Sequence, residues 1–147
     1  MDLKIITATP NDVADIVKIE QACFATPWTE QGIRESIENE NTRLYLALVD
    51  GSAAGYIGVQ IFSGEGYVTN VATLPEYRRK GVAKALIERT LQNEMELLTL
   101  EVRESNFAAI SLYSKLGFER VGVRPHFYRN PVENALLMTI KLFEQSE

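Results

Sequence analysis

The sequence predicts a mixed α/β domain, and three observations indicate this class. Along the chain, segments with the two-residue period of a strand alternate with segments of helical period. Their order is strand, helices, three strands, helix, strand, helix and two strands. The length of 147 residues fits one domain over residues 1–147, and 46% hydrophobic with 24% charged residues is the balance of a folded globular protein.

The chain opens with a predicted strand over Leu3–Thr7. A helix is expected to begin at Pro10-Asn11-Asp12, because apolar side chains then recur at helical spacing. Pro27-Trp28 interrupts this pattern, and the Thr29 hydroxyl can cap a second short helix. The apolar residues that predict the two helices are Val13, Ile16, Val17 and Ile19, then Ile33 and Ile37.

Three strands follow, separated by turn residues. Asp50-Gly51 is a strong hairpin signal between the first two strands. Gly64-Glu65-Gly66 predicts a second turn. The predicted strands are Arg43–Val49, Ala54–Phe62 and Tyr67–Ala72.

The second half of the chain alternates helix and strand before two closing strands. Gly117 stands where a helix often ends with a left-handed residue. We predict helices over Gly81–Met95 and Asn106–Leu116, strands over Leu97–Val102, Phe118–Val123 and Ala135–Leu142, and a loop over Pro125–Asn134.

Composition argues against several functions. The net charge of −5 disfavours nucleic-acid binding, which needs lysine and arginine to neutralise phosphates. Cys23 is the single cysteine, so no intramolecular disulfide and no cysteine zinc cluster is expected. We interpret it as a small buried hydrophobe rather than a nucleophile. No signal peptide or membrane helix is apparent, so we expect a cytoplasmic protein without a metal or a membrane partner.

A basic turn lies between a predicted strand and a predicted helix. Its residues, Arg78-Arg79-Lys80-Gly81-Val82-Ala83, would place cations beside the unpaired N–H groups of a helix start, a geometry that binds phosphate. Lys84 adds another cation, while Gly81 and Ala83 leave room near the backbone. The alternative is a solvated basic helix start. The turn matches neither a P-loop nor a dinucleotide fingerprint, because the lysine-serine/threonine ending and further glycines are missing.

The context of this turn resembles the GNAT family of N-acetyltransferases. That family's motif, Arg/Gln-x-x-Gly-x-Gly/Ala, is matched by Arg78, Gly81 and Ala83. The similarity extends from Ile19-Glu20 to Ala135–Met138. Three segments look like its RimI branch, the ribosomal-protein alanine N-acetyltransferases: Leu100-Glu101-Val102-Arg103-Glu104-Ser105-Asn106, Ala109-Ile110-Ser111-Leu112-Tyr113 and Leu116-Gly117-Phe118.

The resemblance implies a splayed central sheet and acetyl-CoA as co-substrate. The pantetheine arm would bond to the backbone of Val71 and Thr73 as an added strand does, and an N–H of this segment would meet the oxyanion. The pyrophosphate would lie at Arg79–Lys84. The implied CoA-binding residues are Val71, Ala72, Thr73, Arg78, Arg79, Lys80, Gly81, Val82, Ala83, Lys84 and Asn106.

Two residues are candidates for proton transfer. Glu101 faces away from the apolar side of its strand, where neighbouring apolar residues could raise its pKa; the alternative is an exposed acid near a strand end. Tyr113 shares a helix face with Asn106, two turns away; the alternative is a core tyrosine beside Ile110 and Leu116. The resemblance assigns the proton acceptor, acting through a water, to Glu101 and the proton donor to Tyr113.

The acceptor side is less well defined. Tyr128 and Trp28 are candidates for acceptor binding, although Trp28 is equally explained as a core anchor beside Phe24. The resemblance implies the N-terminal alanine of a small-subunit ribosomal protein as acceptor. His126, Phe127, Arg129 and Asn134 depart from the branch pattern, and His126 alone is typical of a surface residue. A small-molecule amine or lysine acceptor therefore stays open, as does a non-catalytic acyl-CoA-binding module.

Overall fold

We describe a computed structural model of the chain over residues 1–142. Seven strands and four α-helices alternate in the predicted order, which confirms the mixed α/β class. The elements are β1 (Leu3–Thr7), α1 (Val13–Cys23), α2 (Glu30–Glu38), β2 (Thr42–Val49), β3 (Ser52–Phe62), β4 (Glu65–Thr73), α3 (Val82–Thr90), β5 (Leu97–Arg103), α4 (Phe107–Leu116), β6 (Glu119–Tyr128) and β7 (Glu133–Lys141).

Two compact units make up the structure, and β4 contributes to both. The first unit comprises residues 1–61 and 69–93. Its strands follow the order β1-β2-β3-β4, with β1 and β2 antiparallel from Leu3 opposite Val49. Apolar faces of α1, α2 and the strands form its core, to which Ala8, Val13, Ile16, Ile19, Ile33, Leu44, Leu46, Tyr56 and Ala72 contribute.

The second unit comprises residues 62–68 and those from 94 onward. Its strands follow the order β4-β5-β7-β6. The start of β4 is parallel to β5, with Glu65 opposite Leu97, and β7 is antiparallel to both β5 and β6. Glu101 lies opposite Leu137 in this sheet, so β5 carries the candidate base into the middle of the unit.

Several local signals in the sequence are confirmed. The Thr29 hydroxyl accepts a hydrogen bond from Gly32 N–H at 3.0 Å and caps α2. Asp50 and Gly51 have φ values of 49° and 85°, as a tight hairpin requires. Gly117 ends α4 with φ 108°, a left-handed conformation that glycine adopts without a Cβ clash.

The predicted helix over Gly81–Met95 is wrong at its end, because α3 stops at Thr90. Both the backbone N–H and the side-chain amide of Asn93 donate to the Thr90 carbonyl, at 3.1 and 3.0 Å. These bonds turn the chain out of the helix. Met95 is still buried, but in the connecting segment, so its helical spacing was coincidental.

The boundaries of two predicted loops are also wrong. The turn predicted over Gly64–Gly66 lies at Ser63-Gly64, and β4 begins at Glu65 because this residue pairs with β5. The predicted loop Pro125–Asn134 shrinks to residues 129–132, because β6 and β7 pair as far as Tyr128 opposite Glu133. Pro125 is tolerated in β6 because an edge strand leaves some N–H groups unpaired.

Candidate active site

The predicted phosphate turn in the first unit has an open helix start. Arg79 and Gly81 have φ values of 63° and 81°, and α3 begins at the next residue, Val82. Among the residues that the structure describes, no side chain caps this helix, so its first N–H groups stay available to an anion. A Cβ at Gly81 would meet nothing within 4 Å, which shows that the space above the turn is open. These features fit a pyrophosphate.

The end of β4 presents its backbone away from β3. Leu74 N–H donates to Ala54 O of β3 at 2.8 Å, and hydrogen-bonding direction alternates along a strand. The peptide groups of Thr73, and of Val71 two residues earlier, therefore point to the opposite side. Thr73 O already accepts from Arg78 Nε at 3.3 Å and from Cys23 Sγ at 3.4 Å. This edge can pair with an added hydrogen-bonding chain such as pantetheine. Val71 is the more accessible of the two residues, because the Thr73 carbonyl already accepts two hydrogen bonds.

Cys23 in α1 is a poor nucleophile in this setting. Burial raises the pKa of its thiol, although Arg78 opposes that shift. Its Sγ donates to Thr73 O, which is the bond of a thiol rather than a thiolate. The geometry agrees with a packing role.

Glu20 in α1 is a buried carboxylate that the sequence analysis did not single out. Its Oε1 accepts from Trp28 N–H at 2.7 Å. Its Oε2 accepts from Tyr56 Oη at 2.5 Å and from Asn70 Nδ2 at 3.0 Å. Burial and the neighbouring Glu20 charge raise the pKa of Tyr56. Glu20 thus joins α1, β3, β4 and the segment before α2, and its bonding capacity is largely used.

Trp28, a candidate acceptor-binding residue, is partly buried against the core of the first unit. Phe24 packs against the same core. This arrangement supports the alternative that Trp28 anchors the segment before α2.

Glu101 lies on the face of β5 opposite to the buried Leu98, Leu100 and Val102. Only 5% of its side chain is exposed, which excludes the alternative of an exposed acid. Both carboxylate oxygens are buried, and neither accepts a hydrogen bond from residues 1–142. Arg124 Nε of β6 lies 3.1 Å from Oε2, close enough for an ion pair but not oriented as a hydrogen-bond donor. The pKa of Glu101 is raised above its usual value by burial, and the charge of Arg124 offsets part of that rise.

Tyr113 in α4 is buried, and its ring centroid lies 5.8 Å from that of Phe118. Burial raises its pKa to about 12, so its phenol stays protonated at neutral pH and can donate a proton. Asn106 precedes α4, where its Oδ1 accepts from Ala109 N–H at 3.2 Å. The burial of Tyr113 is compatible both with a role as proton donor and with packing in the core.

Arg103 of β5 fixes the hairpin between β6 and β7, and it too was not singled out from the sequence. Its guanidinium donates to Arg129 O at 3.0 Å and to Pro131 O at 3.1 Å. It also pairs with Glu133 at 3.3 Å and lies 4.4 Å from the centroid of the Tyr128 ring. Burial and the Glu101 charge raise the pKa of Tyr128 to about 12. Tyr128 is therefore held as a neutral phenol.

His126 is exposed, as expected, and its backbone has a φ of 55°. Its N–H donates to Asn134 Oδ1 at 3.0 Å, while Asn134 Nδ2 lies 3.4–3.5 Å from the Glu104 carboxylate. An aspartate at position 134 would instead face the Glu104 carboxylate with a like charge. The asparagine is thus matched to its surroundings.

Residues 1–142 contain no cluster of three His, Cys, Asp or Glu side chains arranged for a metal ion. No helix in this range has the length and apolar content needed to cross a membrane.

Comparison with known proteins identifies the family. The model of the acetyltransferase (GNAT) family matches residues 13–118. The chain belongs to the GNAT family. Its sequence is 32% identical over 138 residues to the [ribosomal protein bS18]-alanine N-acetyltransferase of Escherichia coli K12, with 89% of this chain and 92% of the relative covered. It is 32% identical over 154 residues to an N-alpha-acetyltransferase of Saccharolobus solfataricus, with 93% and 92% covered.

A solved structure agrees with these relatives. The crystal structure of the ribosomal-protein-S18-alanine N-acetyltransferase from E. coli superimposes with a TM-score of 0.89 and 29% identity. The match covers 99% of this chain and 97% of the other. The GNAT fold and the resemblance to the RimI branch are therefore confirmed. The chain is an N-acetyltransferase whose donor is acetyl-CoA.

Proposed function

We propose that this enzyme is an N-α-acetyltransferase that acetylates the N-terminal alanine of a small-subunit ribosomal protein in the cytoplasm. The observation that carries the proposal is Glu101, a buried carboxylate whose two oxygens accept no hydrogen bond within the described part of the chain. An α-amino group has a pKa of about 7.7–8, so a weak base suffices to complete its deprotonation. A lysine amine, with a pKa near 10.4, would need a far stronger one. The names of the E. coli and archaeal relatives support the same acceptor class.

The first unit supplies the grip on the donor in this proposal. The N–H groups at the start of α3 and the cations of the preceding turn bind the pyrophosphate. The backbone of β4 at Val71 and Thr73 holds the pantetheine arm, and Asn106 is proposed as a further CoA-binding residue. The contributing residues are Val71, Ala72, Thr73, Arg78, Arg79, Lys80, Gly81, Val82, Ala83, Lys84 and Asn106.

The second unit supplies the proton transfers. Acetyl-CoA brings the acetyl group as a thioester. As the amine nitrogen bonds to the acetyl carbon, its proton passes to Glu101 through a water, and the carbon–sulfur bond breaks. The leaving thiolate takes the proton of Tyr113, whose phenol is neutral because its pKa is about 12. The proton on Glu101 then returns to the phenolate through solvent, which restores both groups.

The acceptor contact is assigned to Tyr128. Its ring packs against the Arg103 guanidinium, which also donates hydrogen bonds to two carbonyls of the β6–β7 hairpin. A phenol held in this way can pack against the first residues of a peptide. Trp28 takes a smaller part in the proposal, because its ring packs against the core.

Mass spectrometry of ribosomal proteins tests the acceptor. We expect one small-subunit protein with an N-terminal alanine to carry an acetyl group in the wild-type strain and to lack it when this gene is deleted. A catalytically inactive E101Q copy is the matched control and should not restore the modification. An unmodified N-terminus in the wild type would contradict the assignment.

A small-molecule amine or a lysine is the second candidate acceptor. It is favoured by the β6–β7 hairpin, where His126, Phe127 and Arg129 replace residues typical of the RimI branch. A thiol-release assay over alanine peptides, polyamines and lysine peptides separates the two. Preference for alanine peptides supports the first proposal. A non-catalytic acyl-CoA-binding module is disfavoured because both Glu101 and Tyr113 are present.

A further inference from the structure

Arg124 of β6 is the one charged side chain that the structure places in an ion pair with Glu101 among residues 1–142. The two partners differ in environment, with 5% of the Glu101 side chain exposed and 55% of the Arg124 side chain. The guanidinium also lies 5.8 Å from the centroid of the Phe127 ring. The Arg124 guanidinium is thus exposed to water while it pairs with the buried Glu101 carboxylate.

Glu101 needs such a partner if it is to act as a base. A carboxylate buried without hydrogen bonds is costly to ionise, and burial alone would favour its protonated form. A protonated carboxyl cannot accept a proton. An opposite charge at 3.1 Å counteracts this effect and returns the group toward its ionised form.

The other groups near Glu101 that the structure describes supply no free positive charge that would stabilise its ionised form. On β6, Tyr128 also interacts with Glu101, but its pKa of about 12 keeps it neutral. On β7, the residue opposite is Leu137, which carries no charge. On β5, Arg103 is engaged by Glu133 and two hairpin carbonyls. Tyr113 of α4 is neutral as well.

We propose that Arg124 is a positioning residue for acetyl transfer, one that holds Glu101 ionised and ready to accept the proton of the acceptor amine. The inference rests on the proposed role of Glu101 as base. It assigns Arg124 no contact with acetyl-CoA or with the acceptor. Its effect is electrostatic and therefore depends on the charge at position 124, not on the shape of the side chain.

Carbon-13 NMR titration of the glutamate carboxyl carbons tests this role, with the Glu101 signal identified by its loss in E101Q. In R124Q the midpoint of Glu101 should rise by about one pH unit or more, as expected for losing an adjacent opposite charge. The pH at which kcat reaches half its maximum should rise with it. R124K should keep most of the wild-type midpoint. R120Q removes the same charge from another exposed position of β6 and should leave the midpoint unchanged.

A Glu101 midpoint in folded R124Q equal to that of the wild type would overturn the inference. Thermal unfolding of R124Q and R124K confirms that both variants are folded. Turnover of E101Q separates this failure from failure of the proposed function. Full turnover in E101Q overturns the base assignment, and with it the catalytic meaning of Arg124, whatever the titration gives. Loss of turnover in E101Q with an unmoved midpoint in R124Q overturns the role of Arg124 alone.

Discussion

Each unit of the molecule holds a buried glutamate, and the two differ in their contacts. Glu20 in the first unit accepts three hydrogen bonds, from Trp28 N–H, Tyr56 Oη and Asn70 Nδ2. Glu101 in the second unit accepts none from residues 1–142, and its ion-pair partner in this range is Arg124. A carboxylate whose lone pairs are occupied stabilises the fold, whereas one whose lone pairs are free can take a proton. Burial alone does not separate the two roles, but the count of hydrogen bonds does.

Replacing Glu101 is expected to have the largest effect on activity. E101Q keeps the shape of the side chain and removes its basicity, so kcat should fall by about 100-fold or more, the usual contribution of a general base. The melting temperature should fall little, because the ion pair that is lost involves the largely exposed Arg124 and no hydrogen bond from residues 1–142 is removed. Steady-state kinetics and thermal unfolding measure both effects.

E119Q is the matched control, since Glu119 is an exposed glutamate in the same unit. It should change neither kcat nor the melting temperature. An E101Q enzyme with wild-type turnover would contradict the proposal that Glu101 is catalytic whereas Glu20 is structural.

Replacing Glu20 should produce the opposite pattern. E20A leaves one buried and two partly buried donors without their acceptor, which costs about 3 kcal/mol of unfolding free energy. E20Q should cost less, because its amide oxygen still accepts one of these bonds. Urea unfolding gives the free energies. The kcat of folded E20Q should stay within a few-fold of the wild type, and a 100-fold loss without destabilisation would make Glu20 a catalytic residue.

Two of the buried tyrosines, Tyr113 and Tyr56, extend the same comparison. Y113F removes the proposed proton donor, so kcat should fall by about 10-fold to 100-fold with little change in stability. Y56F instead removes a donor to Glu20 and should cost about 1–2 kcal/mol of unfolding free energy with little change in kcat. Kinetics and urea unfolding of both variants make the test. Equal kinetic losses in Y56F and Y113F would contradict the division of roles.

The smallest effect is expected at the donor turn. G81E places bulk and negative charge where the pyrophosphate is proposed to bind, and should raise the KM for acetyl-CoA by about tenfold. G81A is the control for backbone strain, because Gly81 has φ 81°. It should cost about 1 kcal/mol of stability with a smaller change in KM. An unchanged KM in G81E would mean that the phosphate binds elsewhere.

Local signals in the sequence predicted most of the fold. Proline, glycine and capping residues act over a few neighbours, so Thr29, Asp50-Gly51 and Gly117 were interpreted correctly. The end of α3 was missed because apolar spacing continued to Met95 while Asn93 turned the chain. The extent of the β6–β7 hairpin was missed because strand pairing, not composition, determines it.

The candidate site divides in the same way. The donor turn is a contiguous motif, and Glu101 stood out by its place in an alternating strand. The partners of Glu20 and Glu101 did not stand out, because they are distant in sequence. Glu20 meets Tyr56 across 36 positions and Asn70 across 50, and no local pattern brings them together. Arg124 of β6 likewise meets Glu101 of β5 across the intervening strand β7.

Acetyl-CoA binding by E101Q and G81E, measured by calorimetry beside turnover of an alanine peptide, tests the central claim most directly. The claim is that the turn at Gly81 binds acetyl-CoA and that Glu101 removes the proton of the acceptor amine. E101Q should bind acetyl-CoA with wild-type affinity and turn over about 100-fold more slowly, whereas G81E should bind about tenfold more weakly and keep its kcat. Loss of acetyl-CoA binding in E101Q, or full turnover by that variant, would contradict the account.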